Sequence, residues 1–155
     1  YFEPKSLFTP LDFGLVGFSF PAGLGIKLAA PERPVVSCHG DGGMGMVLAD
    51  LSTAVDNNIN TTTIVFNNGL WGAEKSYQKD FFNERYIGAD VSSPQFDKVA
   101  ELYGCKGYKV EKVSEIKDAV DDSLNCGKPA VIDVAVDPNA LYSFRRDSFK
   151  SRSNW

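Results

Sequence analysis

A glycine-rich loop with one carboxylate is the first group of residues in this sequence whose types and spacing could do chemistry. It contains Gly40, Asp41, Gly42 and Gly43, and it follows an apolar run at residues 34–38 that predicts a short buried strand. Glycines let backbone N–H groups come close to a phosphate, and a helix that begins after the loop adds the positive end of its dipole. We therefore expect Gly40, Gly42 and Gly43 to line a phosphate-binding site.

The carboxylate of Asp41 distinguishes this loop from a dinucleotide-binding loop. Gly40, Gly42 and Gly45 also satisfy the Gly-x-Gly-x-x-Gly pattern of nicotinamide and flavin proteins. A carboxylate inside an anion site repels a diphosphate unless a cation lies between the two groups. A hard divalent cation, Mg2+, removes the conflict because it bonds to oxygens of both. The loop therefore predicts a magnesium–diphosphate site.

The next predicted strand covers residues 61–66, and a second polar loop follows it. It begins with Asn67 and Asn68, where a dinucleotide site would have an acidic residue for a ribose hydroxyl. Amide oxygens are neutral, hard ligands that suit Mg2+. Because open α/β sheets bind ligands at the carboxyl ends of their strands, we expect both loops to meet at one edge of the sheet.

The elements that must position these loops alternate along the chain, which predicts an α/β fold with a doubly wound parallel sheet and helices on both faces. The predicted strands cover residues 34–38, 61–66, 107–110 and 130–136, the last being apolar except for Asp133. The predicted helices cover residues 22–30, with Pro21 as the first helical position, residues 47–55, and segments that begin at Ser92-Ser93-Pro94 and at Ser114. Small residues in the first helix predict close packing against a neighbouring backbone.

Length and composition set the remaining bounds. The 155 residues are 43% hydrophobic, which fits one globular domain over residues 1–155 with a tail at 137–155. The net charge of −4 gives no electrostatic reason to expect nucleic-acid binding. No apolar run is long enough for a membrane span. Three cysteines without CxxC spacing favour a reducing, cytoplasmic compartment. Tyr1 is not a natural start, so we expect this chain to be the C-terminal part of a longer protein.

Together, the two loops resemble the thiamine diphosphate (ThDP) binding motif, in which Gly-Asp-Gly is followed, one strand later, by Asn-Asn. Asn68 lies 27 residues after Asp41, which is the spacing of that family. The resemblance implies that Asp41, Asn68 and the backbone carbonyl of Leu70 bind Mg2+. It also implies that Val16, in the turn Gly14-Leu15-Val16-Gly17, holds ThDP in its bent conformation, the alternative being that Val16 belongs only to the core.

Further segments narrow the resemblance to the acetolactate synthase group and, within it, to the sulfoacetaldehyde acetyltransferase family. They are Ser6-Leu7-Phe8-Thr9-Pro10, Phe20-Pro21, Trp71-Gly72-Ala73-Glu74-Lys75, Asp80-Phe81 and Phe144-Arg145-Arg146-Asp147. That family cleaves sulfoacetaldehyde, releases sulfite and transfers the acetyl group to phosphate. This chain departs from it at Asn67, where the family usually has histidine, and it keeps the asparagine of the metal site at Asn68.

Three other functions fit the same sequence. The first is another ThDP enzyme, an acetolactate synthase or a 2-oxoacid decarboxylase. The second is a Rossmann-type oxidoreductase domain, which the amide pair and Asp41 disfavour. The third is a regulatory domain that keeps the fold without catalysis, which the intact Asp41 and Asn68 disfavour.

Four side chains outside the two loops are also candidates for a role in the reaction. Glu74 lies six residues after Asn68, at the start of a predicted helix, and is a candidate general acid or base; its alternative role is an ion pair or a helix cap. Arg145 and Arg146 could bind a phosphate or sulfonate, or could form surface ion pairs. The single histidine, His39, is more often structural than catalytic in such a position.

The resemblance also implies partners. In ThDP enzymes the glutamate that activates the cofactor comes from a pyrimidine-binding domain of the same or another chain, and no residue here matches it. We therefore expect a homodimer or homotetramer acting on a small-molecule substrate. We also expect the isolated 155-residue chain to be inactive.

Overall fold

Four parallel strands form the centre of the structure. A computed structural model describes residues 6–10 and 14–142, and the strands in this part of the chain are β1 (Val36–Gly40), β2 (Thr62–Asn67), β3 (Lys106–Val110) and β4 (Ala130–Ala135). Their order across the sheet is β1-β2-β4-β3, and every pair is parallel. The predicted strands are confirmed, with boundaries that differ by one or two residues.

Six α-helices accompany the strands within the described residues; α1 precedes β1, and the other five lie between strands. They are α1 (Ser19–Ala29), α2 (Asp41–Gly45), α3 (Asp50–Asp56), α4 (Gly72–Phe81), α5 (Phe96–Tyr103) and α6 (Ile116–Asn125), the last preceded by a 3₁₀ turn at Val113–Glu115. None of the helices in residues 6–10 and 14–142 is long and apolar enough to cross a bilayer. Helices pack on both faces of the sheet, so the predicted doubly wound architecture is confirmed.

The two faces of the sheet carry separate apolar cores. On one face, α1, α3 and α5 contribute Phe20, Leu51 and Phe96, which pack against Val65 of β2 and Val131 of β4. On the other face, α6 covers a smaller core. Its residues are Val110, Ile132 and Val134 of the strands with Ile116, Ala119 and Val120 of the helix. Each fully buried large side chain contributes about 1.5–3 kcal/mol to folding.

The helix predicted over residues 47–55 is present but begins later, because α3 starts at Asp50 and residues 46–49 form turns between α2 and α3. The link between α2 and α3 contains backbone hydrogen bonds that span three residues. The N–H of Val47 donates to the carbonyl of Met44 (3.1 Å), and the N–H of Asp50 donates to the carbonyl of Val47 (3.0 Å). Such i→i−3 bonds tighten the chain into turns. The glycines of α2 are poor helix formers, which favours a short helix at the loop.

The predicted helix start at Ser92-Ser93-Pro94 is wrong, since α5 begins at Phe96. The first N–H of this helix donates to the carboxylate of Asp133 on β4, at 2.8 Å, so a distant strand supplies the cap that a local serine was expected to supply. Burial raises the pKa of Asp133 above its usual range, although the Phe96 N–H partly offsets this shift. Asp133 therefore fixes where α5 starts.

The predicted helix cap at Ser114 is replaced by a neighbouring carboxylate. Glu115 accepts hydrogen bonds from the backbone N–H groups of Glu111 (3.0 Å) and Lys112 (3.1 Å). These bonds satisfy N–H groups that precede the 3₁₀ turn, and α6 follows from Ile116.

Close packing of α1 against β1 depends on one small residue, as the sequence predicted. A Cβ on Gly23 would lie 2.2 Å from the Oγ of Ser37, whereas a Cβ on Gly25 would have no neighbour within 4 Å. The Ser37 hydroxyl is buried and donates to the carbonyl of Ser19 at 3.0 Å. Gly23 is therefore needed for the helix to reach the strand, and Gly25 is not.

We predict opposite effects for two alanine substitutions in α1. Gly23→Ala displaces the Ser37 hydroxyl and should lower the free energy of unfolding by roughly 1–3 kcal/mol, the usual range for overpacking. Gly25→Ala adds a methyl group in open space and should raise it by up to about 1 kcal/mol, because alanine is the better helix former. Urea unfolding of both variants checks this. Equal effects would contradict the packing described for α1.

Candidate diphosphate and metal site

The two predicted loops meet at one edge of the sheet. In the parallel pairing of β1 with β2, Gly40 lies opposite Phe66, so each strand ends at the same level and continues into its loop. Asp41 is the first residue of α2 and is 2% exposed. Its carboxylate Oδ2 accepts a hydrogen bond from the hydroxyl of Ser93 at 2.5 Å.

Glycines form the floor of the first loop. A Cβ on Gly42 would lie 2.6–2.8 Å from ring carbons of Trp71, so the indole occupies the space that any side chain at position 42 would need. A Cβ on Gly43 would lie 3.7 Å from a methyl group of Val16. The first loop is thus in contact with the second loop through Trp71 and with the turn before α1 through Val16, which is half-exposed.

Gly17 keeps that turn against the first loop. Its φ of +84° lies in the left-handed region that favours glycine, and a Cβ there would lie 3.0 Å from a methyl group of Val47 and 3.5 Å from the carbonyl oxygen of Gly43. Gly17 therefore allows the turn that carries Val16 to lie against the glycine floor.

The second loop is a tight turn around Asn68. The amide oxygen of Asn68 accepts a hydrogen bond from the N–H of Leu70 at 3.1 Å. This Asx-type turn leaves the Leu70 side chain buried and sets its carbonyl on the same short segment as the amide. The sequence therefore places both predicted second-loop ligands on one turn.

Asn67 has a position separate from that of Asn68. Its side-chain amide donates to the carbonyl oxygen of Pro94 at 3.2 Å and to Oδ2 of Asp133 at 3.4 Å. Asn67 therefore ties the second loop to the start of α5, and it does not join Asn68 as a second ligand candidate.

These residues fit a hard divalent cation by their chemistry. Asp41 offers a buried carboxylate, Asn68 an amide oxygen and Leu70 a backbone carbonyl, all oxygen donors of the kind that Mg2+ prefers. Among the described residues no cationic side chain forms an ion pair with Asp41. That part of the chain also has no group of three or more His, Cys, Asp or Glu side chains arranged to hold a metal ion.

The charged residues at the start of α4 divide into two kinds. Glu74 lies in the first turn and is exposed. Lys75 forms an ion pair with Asp90 at 2.6 Å, and its ammonium lies 5.3 Å from the centre of the Tyr86 ring. Lys75 is therefore held by its neighbours, whereas Glu74 faces outward. Arg145 and Arg146 lie outside the described residues.

Comparison with known proteins places this arrangement in a family. The model described as "Thiamine pyrophosphate enzyme, C-terminal TPP binding domain" matches residues 1–134. The chain belongs to this family. Thiamine pyrophosphate is ThDP, so the chain is a ThDP-binding domain, and the sequence-based identification is confirmed.

Several enzymes are similar to this chain over nearly all of its length. Sulfoacetaldehyde acetyltransferase of Alcaligenes xylosoxydans xylosoxydans is 37% identical over 94% of the chain and 25% of that enzyme. A probable acetolactate synthase large subunit of Methanococcus aeolicus is 33% identical over 90% of the chain and 24% of that protein. The chain thus spans about a quarter of the length of these relatives.

A solved structure gives the same result for the fold. The thiamine diphosphate-dependent 4-hydroxybenzoylformate decarboxylase of Rhodococcus jostii RHA1 superposes with a TM-score of 0.73 and 31% identity. The match covers 79% of this chain and 23% of the decarboxylase. The α/β fold predicted from the sequence is therefore the ThDP-binding fold.

Sequence reasoning missed two residues that belong to this region. Ser93 was interpreted as part of a helix start, although its hydroxyl reaches Asp41, 52 positions away. Asp133 was noted only as the exception in an apolar strand, and it connects β4 to both Asn67 and Phe96. That exception was the one available signal, because a carboxylate in a buried strand needs partners.

His39 lies beneath the first loop as a buried residue. It is 6% exposed on the core side of β1, and its Nε2 atom has no hydrogen-bond partner among the described residues. A Cβ on Gly43 would lie 3.4 Å from its Nδ1 atom. Burial lowers the pKa of His39 from 6.5 to about 4, because the charged imidazolium is poorly solvated there. His39 therefore supports the loop as a neutral side chain.

We predict that His39 titrates far below the usual range for histidine. It is the single histidine of the chain, so its NMR titration is unambiguous and should give a midpoint near 4 instead of 6.5. The unfolded chain binds a proton at His39 more tightly than the folded chain does. The contribution of neutral His39 to the free energy of unfolding is therefore fully present above pH 6.5. Stability should then fall by roughly 3 kcal/mol as the pH drops to about 4. A midpoint near 6.5 would show that His39 is solvated.

Proposed function

We infer that this domain binds the diphosphate of ThDP through Mg2+ held by Asp41, Asn68 and the carbonyl of Leu70. The observation that carries the inference is the buried Asp41 carboxylate, which is 2% exposed and lies at the carboxyl end of a parallel strand beside a glycine floor. An isolated buried carboxylate is strongly unfavourable, and a bound cation supplies the missing opposite charge. The N–H groups of α2 and Gly40, Gly42 and Gly43 then remain for the diphosphate.

The full-length protein is proposed to convert sulfoacetaldehyde and phosphate into acetyl phosphate and sulfite. Support comes from two sulfoacetaldehyde acetyltransferases that are each 37% identical over 94% of the chain, and from the Gly72-Ala73-Glu74-Lys75 segment. ThDP, when bound, supplies the electron-sink chemistry for breaking the bond next to the carbonyl carbon.

The chain's own residues bind and orient the cofactor. The ring of Trp71 covers Gly42, since it fills the position that a side chain there would need. Val16 is half-exposed beside Gly43, which leaves its methyl groups available to the cofactor. Positioning of this kind accounts for a large share of catalysis in cofactor enzymes.

Acetolactate synthesis is the second candidate reaction. Acetolactate synthase subunits are 31–35% identical to the chain, which lies within the 30–37% range of the acetyltransferases. Asn67 also differs from the histidine that the resemblance to the acetyltransferases implies. A product assay on the full-length protein separates the two. Sulfite and acetyl phosphate formed from sulfoacetaldehyde and phosphate support the first candidate, and acetolactate formed from pyruvate supports the second; a 2-oxoacid decarboxylase would release the corresponding aldehyde.

Partners complete the proposed enzyme. Because no residue here matches the cofactor-activating glutamate, we propose that a pyrimidine-binding domain of the same or another chain supplies it, in a homodimer or homotetramer. The chain spans a quarter of its relatives' length, which leaves room for such a domain in proteins of that size. We also propose that the protein acts in the cytoplasm.

We predict that the metal site depends on its single carboxylate. Asp41→Ala should abolish Mg2+-dependent ThDP binding, because no opposite charge would hold the cation at the loop. Asn68→Ala should weaken binding strongly, since it removes one neutral ligand. Calorimetric titration of ThDP with and without Mg2+, in the full-length enzyme, measures both. Asp56→Ala, on the exposed end of α3, is the matched control. Unchanged ThDP affinity in Asp41→Ala would refute the site.

Glu74 is proposed as a general acid or base in the assembled enzyme. Since it is exposed in this domain, the role requires that other parts of the protein cover it. Glu74→Gln keeps the size and hydrogen bonding but removes the titrating group, so turnover should fall strongly while ThDP affinity and melting temperature stay nearly constant. The control is Asp80→Asn, an exposed carboxylate on the same helix. If turnover and its pH profile equal those of the parent enzyme, Glu74 is structural.

A further inference from the structure

A short segment that precedes α5 runs antiparallel to the second loop. We call residues 89–93 the strap. The N–H of Trp71 donates to the carbonyl of Ala89 and the N–H of Val91 donates to the carbonyl of Gly69, both at 2.8 Å. These two bonds pair the strap with the three residues that include the proposed carbonyl ligand. The strap is therefore hydrogen-bonded to the second loop on both sides of Leu70.

Side chains fix the strap along its length. Lys75 of α4 forms the 2.6 Å ion pair with Asp90, and the amide of Asn67 reaches the carbonyl of Pro94, just beyond the strap, at 3.2 Å. Lys75 is partly buried and Asp90 is exposed, so solvent screens the pair, and it contributes more to the orientation of the strap than to stability. The strap is thus connected to both ends of the loop that carries Asn68 and Leu70.

Ser93, the last residue of the strap, contacts the first loop. The Ser93 hydroxyl donates to Oδ2 of Asp41 at 2.5 Å, a short hydrogen bond to a carboxylate that is almost fully buried. The adjacent Ser92 is exposed and makes no side-chain hydrogen bond to any residue in the described ranges. The contact at Ser93 therefore comes from the path of the strap and is not a general property of this polar segment.

We propose that Ser93 is a positioning residue for the metal site, which orients the Asp41 carboxylate so that one oxygen is engaged by the protein and the other is left for the cation. This inference rests on the proposed function. A carboxylate can rotate about its terminal bond, and a bidentate or tilted approach would change its distance to a bound cation. A hydroxyl held by the strap removes that freedom. Outer hydrogen bonds of this kind are part of a metal site, since they orient its ligands.

The strap also connects the ligands from the two loops. Ser93 contacts Asp41, and the same five residues pair with the backbone on both sides of Leu70. The relative position of the carboxylate and the carbonyl is therefore set by a single segment of chain, in addition to the sheet that carries both loops. Removing the Ser93 hydroxyl should loosen the metal site without breaking the backbone pairing of the strap.

The experiment compares four substitutions in the full-length protein. Mn2+ replaces Mg2+, and its binding in the presence of ThDP is titrated by electron paramagnetic resonance. Ser93→Ala removes the hydroxyl, and Ser93→Thr and Ser93→Val form a matched pair that differ at that hydroxyl alone in nearly equal volume. Ser92→Ala is the control for a serine without the contact. The melting temperature of each variant without metal shows whether the fold is retained.

We expect Ser93→Ala and Ser93→Val to weaken Mn2+ binding by about 10- to 100-fold. Ser93→Thr and Ser92→Ala should bind like the parent protein, and the melting temperatures without metal should agree. Equal Mn2+ affinity for Ser93→Thr and Ser93→Val would overturn the role of Ser93, as would a lower melting temperature in Ser93→Val with unchanged affinity. If the parent protein itself binds no Mn2+ with ThDP, the proposed function fails, which is a separate result.

Discussion

The placement of one carboxylate at the end of a buried strand is the constraint on which the rest of this structure depends. Asp41 is 2% exposed, has no cationic partner in the described part of the chain, and receives a single side-chain hydrogen bond, from Ser93. Burial of an unpaired charge costs several kcal/mol even after the protein relaxes. The proposed cation would offset this cost, and the proposed diphosphate would account for the glycines beside the carboxylate.

The parallel sheet converts distant sequence positions into one edge. β1 and β2 are joined by α2 and α3, and the register that sets Gly40 opposite Phe66 puts the two loops at the same level. That register is held by the core, because a slip of one residue would turn Val65 out of the core and Phe66 into it. The apolar core on one face of the sheet therefore determines the geometry of a polar site at its end.

The sequence was sufficient for the parts of this structure that depend on local pattern. Apolar runs and glycine-rich loops located the strands, and the residue types at positions 41 and 68 identified a metal–diphosphate motif whose family the comparisons confirm. Features that depend on contacts between distant positions were not predictable. The start of α5 is set by Asp133, 37 positions from Phe96, and no local signal at Ser92-Ser93-Pro94 reveals that these serines do not begin the helix.

Asn67 shows how a residue beside the proposed ligands supports the second loop without joining them. Its amide donates to the carbonyl of Pro94 and to the carboxylate of Asp133, so this position connects the second loop to the segment before α5 and to β4. The amide of Asn68 has a different task, because its oxygen accepts a hydrogen bond from the N–H of Leu70 and closes the turn. Two adjacent residues of the same type therefore differ through their neighbours: one joins the loop to the sheet, and the other shapes the turn that carries the proposed carbonyl ligand.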